Sequence, residues 1–174
     1  MRELSTSGAA APTPAGFRGV MGRFATGVAV MTTRYRSRPH GMTANAVTSV
    51  SLDPLLVLVS VERRTVMAEQ VTAAGVFALS FLAADQRSLS DRFADPERPM
   101  GDAQFTDVDT FDGVTGVPIL TAGLGWVECR VWDVHDGGDH LLVLGEVVAL
   151  AEGESDQPLV FYRGGYHGIG APPT

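Results

Sequence analysis

The sequence predicts a mostly β protein, an antiparallel barrel that carries a few short helices. Seven short runs rich in β-branched or aromatic residues are each bounded by Gly, Pro, Asp or Asn, which is the pattern of strands joined by turns. Only two helical patterns interrupt these runs, and both are too short to be the crossovers of a parallel sheet. With 174 residues, 45% of them hydrophobic, the chain is long enough for one well-cored domain.

The predicted elements lie between an N-terminal arm, residues 1–16, and a tail, residues 170–174, so that the domain covers residues 17–169. The arm is rich in Ala, Ser, Thr, Pro and Gly, and we expect it to be mobile. The strands are predicted over Val28–Thr33, Thr43–Leu52, Leu55–Val61, Val76–Leu82, Trp126–Val134, Leu141–Leu150 and Leu159–Tyr162. The helices are predicted over Val66–Ala74, with Thr65 as N-cap, and over Gln86–Ala94, after Asp85.

Two connections have a clear pattern of their own. The strands Trp126–Val134 and Leu141–Leu150 form the clearest hairpin, because the glycine pair in Asp136-Gly137-Gly138-Asp139 permits the positive φ angles of a tight turn. Residues Ala94–Thr121 contain three prolines and three glycines with little periodicity, so we expect a long loop. Long loops in compact domains are more often functional than idle.

Composition excludes several classes of protein. All thirteen basic residues are arginine, which excludes a Walker A lysine and a lysine nucleophile. The single cysteine excludes an intramolecular disulfide and a paired-thiolate zinc site. The net charge of −7 disfavours nucleic acid and anionic lipid, and no stretch approaches the ~20 apolar residues of a membrane span. Since Pro12 and Pro14 interrupt the place of a signal-peptide core, we expect a cytoplasmic protein without nucleic-acid or membrane partners.

Polar and apolar side chains alternate along the predicted strand Thr43–Leu52. The apolar set is Ala44, Ala46, Val50 and Leu52, and the polar set is Thr43, Asn45, Ser49 and Ser51. Short uncharged donors suit a planar polar ligand and its phosphate, whereas a solvated face more often carries charged side chains. An exposed Ser/Thr face of a barrel strand remains the alternative interpretation.

A second candidate site follows the strand Leu55–Val61, which is apolar on both faces and is therefore predicted to lie inside the sheet. Arg63, Arg64 and Thr65 stand at the N-terminus of the first predicted helix. Free backbone N–H groups and guanidinium groups there could hold a phosphate. In the alternative interpretation, Thr65 is only an N-cap and the arginines belong to a solvated loop.

Other chemistry-bearing residues give weaker signals. His140 follows the glycine pair, where a ligand can approach the backbone closely, although a histidine at a hairpin tip is often only a surface residue. The histidines have no metal-ligand spacing, so we predict no metal site. Glu128 occupies the place of the third glycine after Gly123 and Gly125, which disfavours a Rossmann dinucleotide motif. Cys129 lies in an alternating strand and is expected to be an inert, structural thiol.

Several stretches together point to a known family. They are Phe24-Ala25-Thr26-Gly27-Val28-Ala29-Val30-Met31-Thr32-Thr33, Gly41-Met42-Thr43-Ala44-Asn45, Thr48-Ser49-Val50-Ser51-Leu52-Asp53-Pro54, Gly138-Asp139-His140 and Gly145-Glu146-Val147. In order and spacing they closely resemble the flavin reductase family, over about Gly16 to Ile169. The chain departs from the family at Ala46-Val47, where Ser-Phe is frequent, and at Leu55, where a second Pro is frequent.

The resemblance implies an FMN-binding split β-barrel, antiparallel and Greek-key-like, with FMN or FAD as flavin and NADH or NADPH as reductant. At the ring, it implies that Thr43, Ala44 and Asn45 lie along the isoalloxazine and that Ser60 and Val61 lie beside the flavin. At the other end, it implies that Ser49 and Ser51 lie toward the ribityl phosphate and that Arg64 and Thr65 lie at the phosphate. It further implies that His140 positions the nicotinamide and that Phe93 closes the pocket over the ring. A straight strand from Thr43 to Ser51 would span ~26 Å, so curvature or a bulge must bring both groups to one ligand.

The activity implied by the resemblance is hydride transfer from NAD(P)H to free FMN or FAD, without a covalent nucleophile. The family is typically a homodimer whose reduced flavin goes to a flavin-dependent monooxygenase. Two alternatives remain open: a flavin-binding protein of the same fold without reductase activity, and a small β-barrel interaction module.

Overall fold

The computed structural model describes residues 11–169, which form three α-helices and twelve strands. The helices are α1 (Pro14–Met21), α2 (Val66–Ala74) and α3 (Arg87–Ala94). The strands are β1 (Thr26–Gly27), β2 (Ala29–Tyr35), β3 (Arg38–Ala44), β4 (Val47–Leu52), β5 (Leu55–Glu62), β6 (Val76–Phe81), β7 (Thr110–Asp112), β8 (Pro118–Leu120), β9 (Gly125–Gly137), β10 (His140–Glu152), β11 (Val160–Tyr162) and β12 (Gly165–His167). Short 3₁₀ turns cover Ala84–Gln86 and Gly101–Phe105. None of these helices is long and apolar enough to cross a membrane.

Seven strands form one antiparallel sheet in the order β3-β2-β6-β9-β10-β5-β4. The predicted mostly β, antiparallel class is therefore confirmed, and β5 has a partner on both sides as its apolar sequence predicts. The two edge strands, β3 and β4, are separated in sequence only by Asn45 and Ala46. Because the three residue steps from Ala44 to Val47 span at most about 11 Å, the sheet must curl until its edges meet, which makes it a barrel.

The main hydrophobic core lies between the inner face of this sheet and α2. It includes Val59, Met67, Phe77 and Val143, all fully buried. Helix α2 has the predicted bounds, because Thr65 Oγ1 accepts a hydrogen bond from the backbone N–H of Ala68 and a left-handed glycine ends the helix. A side chain at Gly145 would overlap the Phe77 ring, so this position of β10 requires glycine.

The prediction of one continuous strand over Thr43–Leu52 is wrong. Ala44 ends β3 by pairing with β2, whereas Val47 begins β4 by pairing with β5 at the other edge of the sheet. A register shift between Ser49 and Ser51 further changes the direction of the side chains. Consequently the two predicted faces do not exist: Ala44 is 7% exposed, while Leu52, assigned to the same face, is 87% exposed.

Two segments are more ordered than their composition predicts. Helix α1 begins inside the predicted arm, since Thr13 caps it and Pro14 occupies its first turn. Residues 1–10 and 170–174, the rest of the arm and the tail, lie outside the described residues, and the domain boundary at residue 17 stays a prediction. The segment Ala94–Thr121 is not one irregular loop, because it contains a 3₁₀ turn and the β7–β8 hairpin, with Ile119 fully buried.

The β7–β8 hairpin is fixed by a buried carboxylate. Glu128 is fully buried and accepts hydrogen bonds from the backbone N–H groups of Val114 and Thr115, at 2.9 and 2.6 Å. Buried carboxylates require such partners, because an uncompensated charge in the interior is costly. The same glutamate that breaks the Rossmann pattern therefore has a structural role here.

A buried polar cluster joins β3 to the chain after α3. Arg98 Nε donates to the carbonyl of Gly41 at 3.1 Å, and Gln104 Oε1 accepts from the Gly41 N–H at 2.6 Å. His40, 1% exposed, lies next to the Arg98 guanidinium. Burial, and secondarily the charge of Arg98, lower the pKa of His40 to about 4.

The lowered pKa of His40 predicts acid sensitivity of the fold. As pH falls below about 6.5, the unfolded chain binds a proton at this histidine, whereas the folded protein binds it only near pH 4. The free energy of unfolding should therefore fall by up to about 3 kcal/mol between these pH values because of His40 alone. Urea unfolding across this range should give a shallower pH dependence for His40→Gln than for the wild type, with His167→Gln, at an exposed histidine, as the control variant. Equal slopes in wild type and His40→Gln would contradict the prediction.

Candidate active site

A groove of about 680 Å³ runs along the place where the two edges of the barrel meet. One wall comes from α1, β1 and β11, and the other comes from the β3–β4 connection and β5. The lining residues are Arg18, Met21, Gly22, Phe24, Thr26, Asn45, Ala46, Val47, Thr48, Leu58, Ser60, Phe161 and Gly164. Its volume is in the range of small-molecule sites.

The lining is mostly apolar, with a few uncharged polar groups and one charged residue, Arg18. Asn45 Nδ2 donates to Thr26 Oγ1 at 3.2 Å, which ties the β3–β4 connection to β1. The Ser60 N–H donates to the Ala46 carbonyl at 3.0 Å, which holds the same connection to β5. A planar, partly apolar ring with polar edges is the kind of ligand that such a surface accepts.

A smaller hollow of about 290 Å³ continues from the groove toward the start of β2. The two share Phe24, Thr26, Asn45 and Val47. The hollow adds Ala25, Gly27, Val28, Ala29, Ala44, Phe81 and Leu124. The groove and the hollow are therefore adjacent, and Asn45 lines both.

A third depression, about 420 Å³, lies between the end of β5 and the turn of the β9–β10 hairpin. Glu62, Arg63, Arg64, Gly138 and Asp139 line it, and we call it the arginine cleft. Ser60 lines the groove and Arg64 lines the cleft, so the two depressions are four residues apart along the chain. Four residues extend over ~13 Å at most.

The two arginines of the cleft have different surroundings. Arg63 donates from Nε to the Gly138 carbonyl at 2.7 Å, and its Nη2 pairs with Asp136 Oδ2 at 2.6 Å. Arg64 is exposed and makes no side-chain hydrogen bond or ion pair within residues 11–169. Of the two arginines in the cleft, Arg64 is therefore the one whose guanidinium is available to an anion.

His140 begins β10, beside the arginine cleft. It pairs with Glu62 of β5, and its Nδ1 lies 2.7 Å from Asp139 Oδ1. This hydrogen bond from His140 lowers the pKa of the Asp139 carboxyl. The Asp139 carboxylate orients the imidazole, so that Nε2 is the ring nitrogen available to a ligand.

Of the predicted site residues, Ala44, Asn45 and Ser60 line the groove or its hollow, and Arg64 lines the cleft. The others that resemblance places at the flavin do not line these depressions: Thr43, Ser49, Ser51, Val61, Thr65 and Phe93.

These residues have other surroundings for identifiable reasons. Thr43 Oγ1 donates to the Ser90 carbonyl, and the Thr65 hydroxyl donates to the Glu62 carbonyl besides capping α2. Val61 is fully buried in the main core. Phe93 is also fully buried, packed against Gly41 and tilted against Phe105, so its ring does not close the pocket in this chain.

The two remaining serines of β4 do not line the groove. Ser51 Oγ accepts from the Asp53 N–H at 3.1 Å in the turn after β4, and Ser49 is exposed. Thr48 lines the groove, and because side chains alternate along a strand, the neighbouring Ser49 faces the other way.

Sequence reasoning missed the wall formed by α1, the segment between α1 and β1, and β11, which contributes Arg18, Phe24 and Phe161. The sequence did give a signal for Phe24, because this aromatic residue begins the first family-like stretch. Arg18 and Phe161 had none, since their role depends on how two distant segments meet at the barrel edge.

Cys129 has the environment that the sequence predicts. It is fully buried, and burial, followed by the neighbouring charge of Glu128, raises the pKa of its thiol to about 12. Such a thiol is protonated at neutral pH and is a poor nucleophile.

Comparison with known proteins identifies the family. The model of the flavin reductase like domain matches residues 21–170 of this chain. The chain belongs to the flavin reductase family. The predicted resemblance is thereby confirmed, and the predicted split barrel is the fold of the related solved structures described next.

The similarity to known flavin reductases extends over 90% or more of this chain in three relatives. The chain is 36% identical to the reductase subunit HsaB of a flavin-dependent monooxygenase from Rhodococcus jostii, covering 97% of this chain and 86% of that protein. BorF, the flavin reductase component of a bacterial two-component tryptophan halogenase, superposes with a TM-score of 0.85 at 37% identity, covering 90% of this chain and 98% of BorF. The NADH:FAD oxidoreductase of Streptomyces globisporus, solved with NAD and FAD fragments, superposes with a TM-score of 0.85 at 36% identity, covering 94% of this chain and 98% of that chain.

Proposed function

We propose that this protein reduces free FMN or FAD with NADH or NADPH and supplies the reduced flavin to a partner monooxygenase in the cytoplasm. Membership of the flavin reductase family supports the reaction, and the relatives named as reductase components support the partner class. The single observation that carries the proposal in this chain is the arrangement on β5, with an apolar groove at Ser60 and the available guanidinium of Arg64 four residues later.

The groove fits a flavin by its own chemistry. Its apolar lining suits the ring system, and the uncharged side chains of Asn45 and Ser60 suit the polar edges of the ring. The flavin and the nicotinamide nucleotide, when bound, supply the hydride-transfer chemistry. The residues of the chain have to bind both molecules, align them and keep the flavin exchangeable.

The test of the proposed function is flavin-dependent oxidation of NADH or NADPH, followed at 340 nm with FMN and with FAD. The proposal predicts turnover that requires added flavin. Flavin binding without turnover would identify a flavin carrier, and neither binding nor turnover would identify a small interaction module; both results would contradict the proposal.

Arg64 is proposed to bind the flavin phosphate. The Arg64→Ala variant should weaken FMN binding about tenfold or more, because a charge-assisted hydrogen bond is lost, while riboflavin, which lacks the phosphate, should bind almost as before. Fluorescence titration of both flavins measures the difference. Arg36→Ala removes an exposed arginine from the β2–β3 turn and serves as control. Equal losses for FMN and riboflavin would contradict the assignment.

His140 is proposed to position the nicotinamide, since Asp139 fixes its ring and leaves Nε2 available beside the arginine cleft. The His140→Ala variant should lower kcat/KM for NADH about tenfold or more, equivalent to about 1.4 kcal/mol, while FMN affinity stays nearly unchanged. His135→Ala is the matched control, because His135 is an exposed histidine on the same hairpin that also faces an aspartate. Unchanged kinetics in a folded His140→Ala protein would refute the role.

A homodimer is the proposed assembly. Helix α1 buries no side chain against the rest of the described chain, and its apolar residues Phe17, Val20 and Met21, three and four residues apart, are 48 to 69% exposed. An eight-residue helix is not stable by itself in water, so this stripe requires a partner surface. Because α1 also lines the groove through Arg18 and Met21, a second copy covering it would complete the flavin site.

The assembly can be measured by light scattering coupled to size exclusion. The wild type is expected at twice 18.4 kDa, and the Phe17→Ser/Val20→Ser variant is expected to shift toward the monomer. Leu150→Ser, which changes an exposed leucine of β10, should leave the mass unchanged. A monomeric wild type would contradict the proposed dimer.

A further inference from the structure

Arg63 connects the end of β5 to the turn of the β9–β10 hairpin through three contacts. Its backbone N–H donates to the Asp139 carbonyl at 3.0 Å, its Nε donates to the Gly138 carbonyl at 2.7 Å, and its Nη2 pairs with Asp136. The other carboxylate oxygen of Asp136 accepts the Gly138 N–H at 2.8 Å. Both partners lower the pKa of Asp136, the Gly138 N–H first and Arg63 second.

These contacts hold a turn that otherwise has little support. Strands β9 and β10 have thirteen residues each, and only Gly138 and Asp139 join them, with φ of 80° at Gly138. The turn is exposed, and an exposed hairpin end opens easily. The pairing of β10 with β5 ends at His140 and Glu62, immediately beside Arg63. The orientation of His140 therefore depends on the last ladder pair and on the contacts of Arg63.

We propose that Arg63 is a positioning residue, which fixes the β9–β10 turn to β5 and so holds Asp139 and His140 in place relative to the flavin groove. The inference rests on the proposed function for the role of His140. It divides the arginine pair between two tasks: Arg64 faces the anion, and the guanidinium of Arg63 is occupied by the turn. A two-arginine phosphate clamp is therefore not the arrangement in this chain.

The chain provides a matched control for the loss of such a contact. Arg34 makes the same two side-chain contacts with the β7–β8 hairpin: Nε donates to the Gly116 carbonyl at 2.6 Å, and Nη2 pairs with Asp112 at 2.6 Å. Gly116 also has positive φ, at 81°. Neither Arg34 nor the β7–β8 hairpin lines the groove or the arginine cleft. Arg34→Ala therefore removes an equivalent clamp away from the proposed site.

Steady-state kinetics with NADH and FMN test the positioning role. Arg63→Ala should lower kcat/KM for NADH at least fivefold and leave the Kd of FMN within about twofold, and Asp136→Asn should act in the same direction. The double variant Arg63→Ala/His140→Ala should be no slower than His140→Ala, because Arg63 acts through His140. Arg34→Ala should leave the kinetic constants unchanged. Multiplying defects in the double variant, or weaker FMN binding by Arg63→Ala, would overturn the proposal.

Hydrogen exchange gives a second readout that does not depend on activity. Peptides that cover residues 134–142 should exchange faster in Arg63→Ala than in the wild type, while peptides from the core strand β6 exchange at the same rate. Unchanged exchange at the turn would overturn the clamp itself. If Arg63→Ala exchanges faster at the turn than the wild type, but the wild type does not oxidise NADH, the proposed function is refuted and the clamp is supported. The two failures are therefore distinguishable.

Discussion

The closure of the barrel by a two-residue connection is the constraint on which the rest of the structure depends. Strands β3 and β4 form opposite edges of the seven-stranded sheet, and Asn45 with Ala46 is all that separates them in sequence. The edges must therefore meet, and the groove lies where they meet. The backbone bond from Ser60 to Ala46 and the side-chain bond from Asn45 to Thr26 fix this junction on both sides.

Strand β5 carries this constraint to the second half of the site. It pairs with β4 on one side and β10 on the other, so that Ser60 lies in the groove while Glu62 pairs with His140. The chain then leaves the strand with Arg63 and Arg64, one turned to the hairpin and the other to solvent. A rigid strand with partners on both sides is a suitable support for two molecules whose relative orientation decides the rate of hydride transfer.

Local signals in the sequence were sufficient for some elements and insufficient for others. The sequence predicts helix α2 at Val66–Ala74 because a capping threonine is a local signal, and the structure adds a left-handed glycine, Gly75, at its end. The break at Asn45-Ala46 was not predicted, because it arises from pairing with β2 and β5, which the alternation of residues does not reveal. The resemblance implies that Phe93 closes the pocket over the flavin ring. Its burial against Gly41 depends on tertiary packing, which its position in the sequence does not reveal.

A crystal structure of the protein with FMN and NAD⁺ would show most directly whether the flavin ring, the flavin phosphate and the nicotinamide are arranged along β5 and the two residues that follow it. The account predicts the isoalloxazine in the groove against Ala46 and Ser60, the phosphate within hydrogen-bond distance of the Arg64 guanidinium, and the nicotinamide carboxamide near His140. A phosphate bound by other residues, with Arg64 still exposed to solvent, or a nicotinamide remote from His140, would contradict the account.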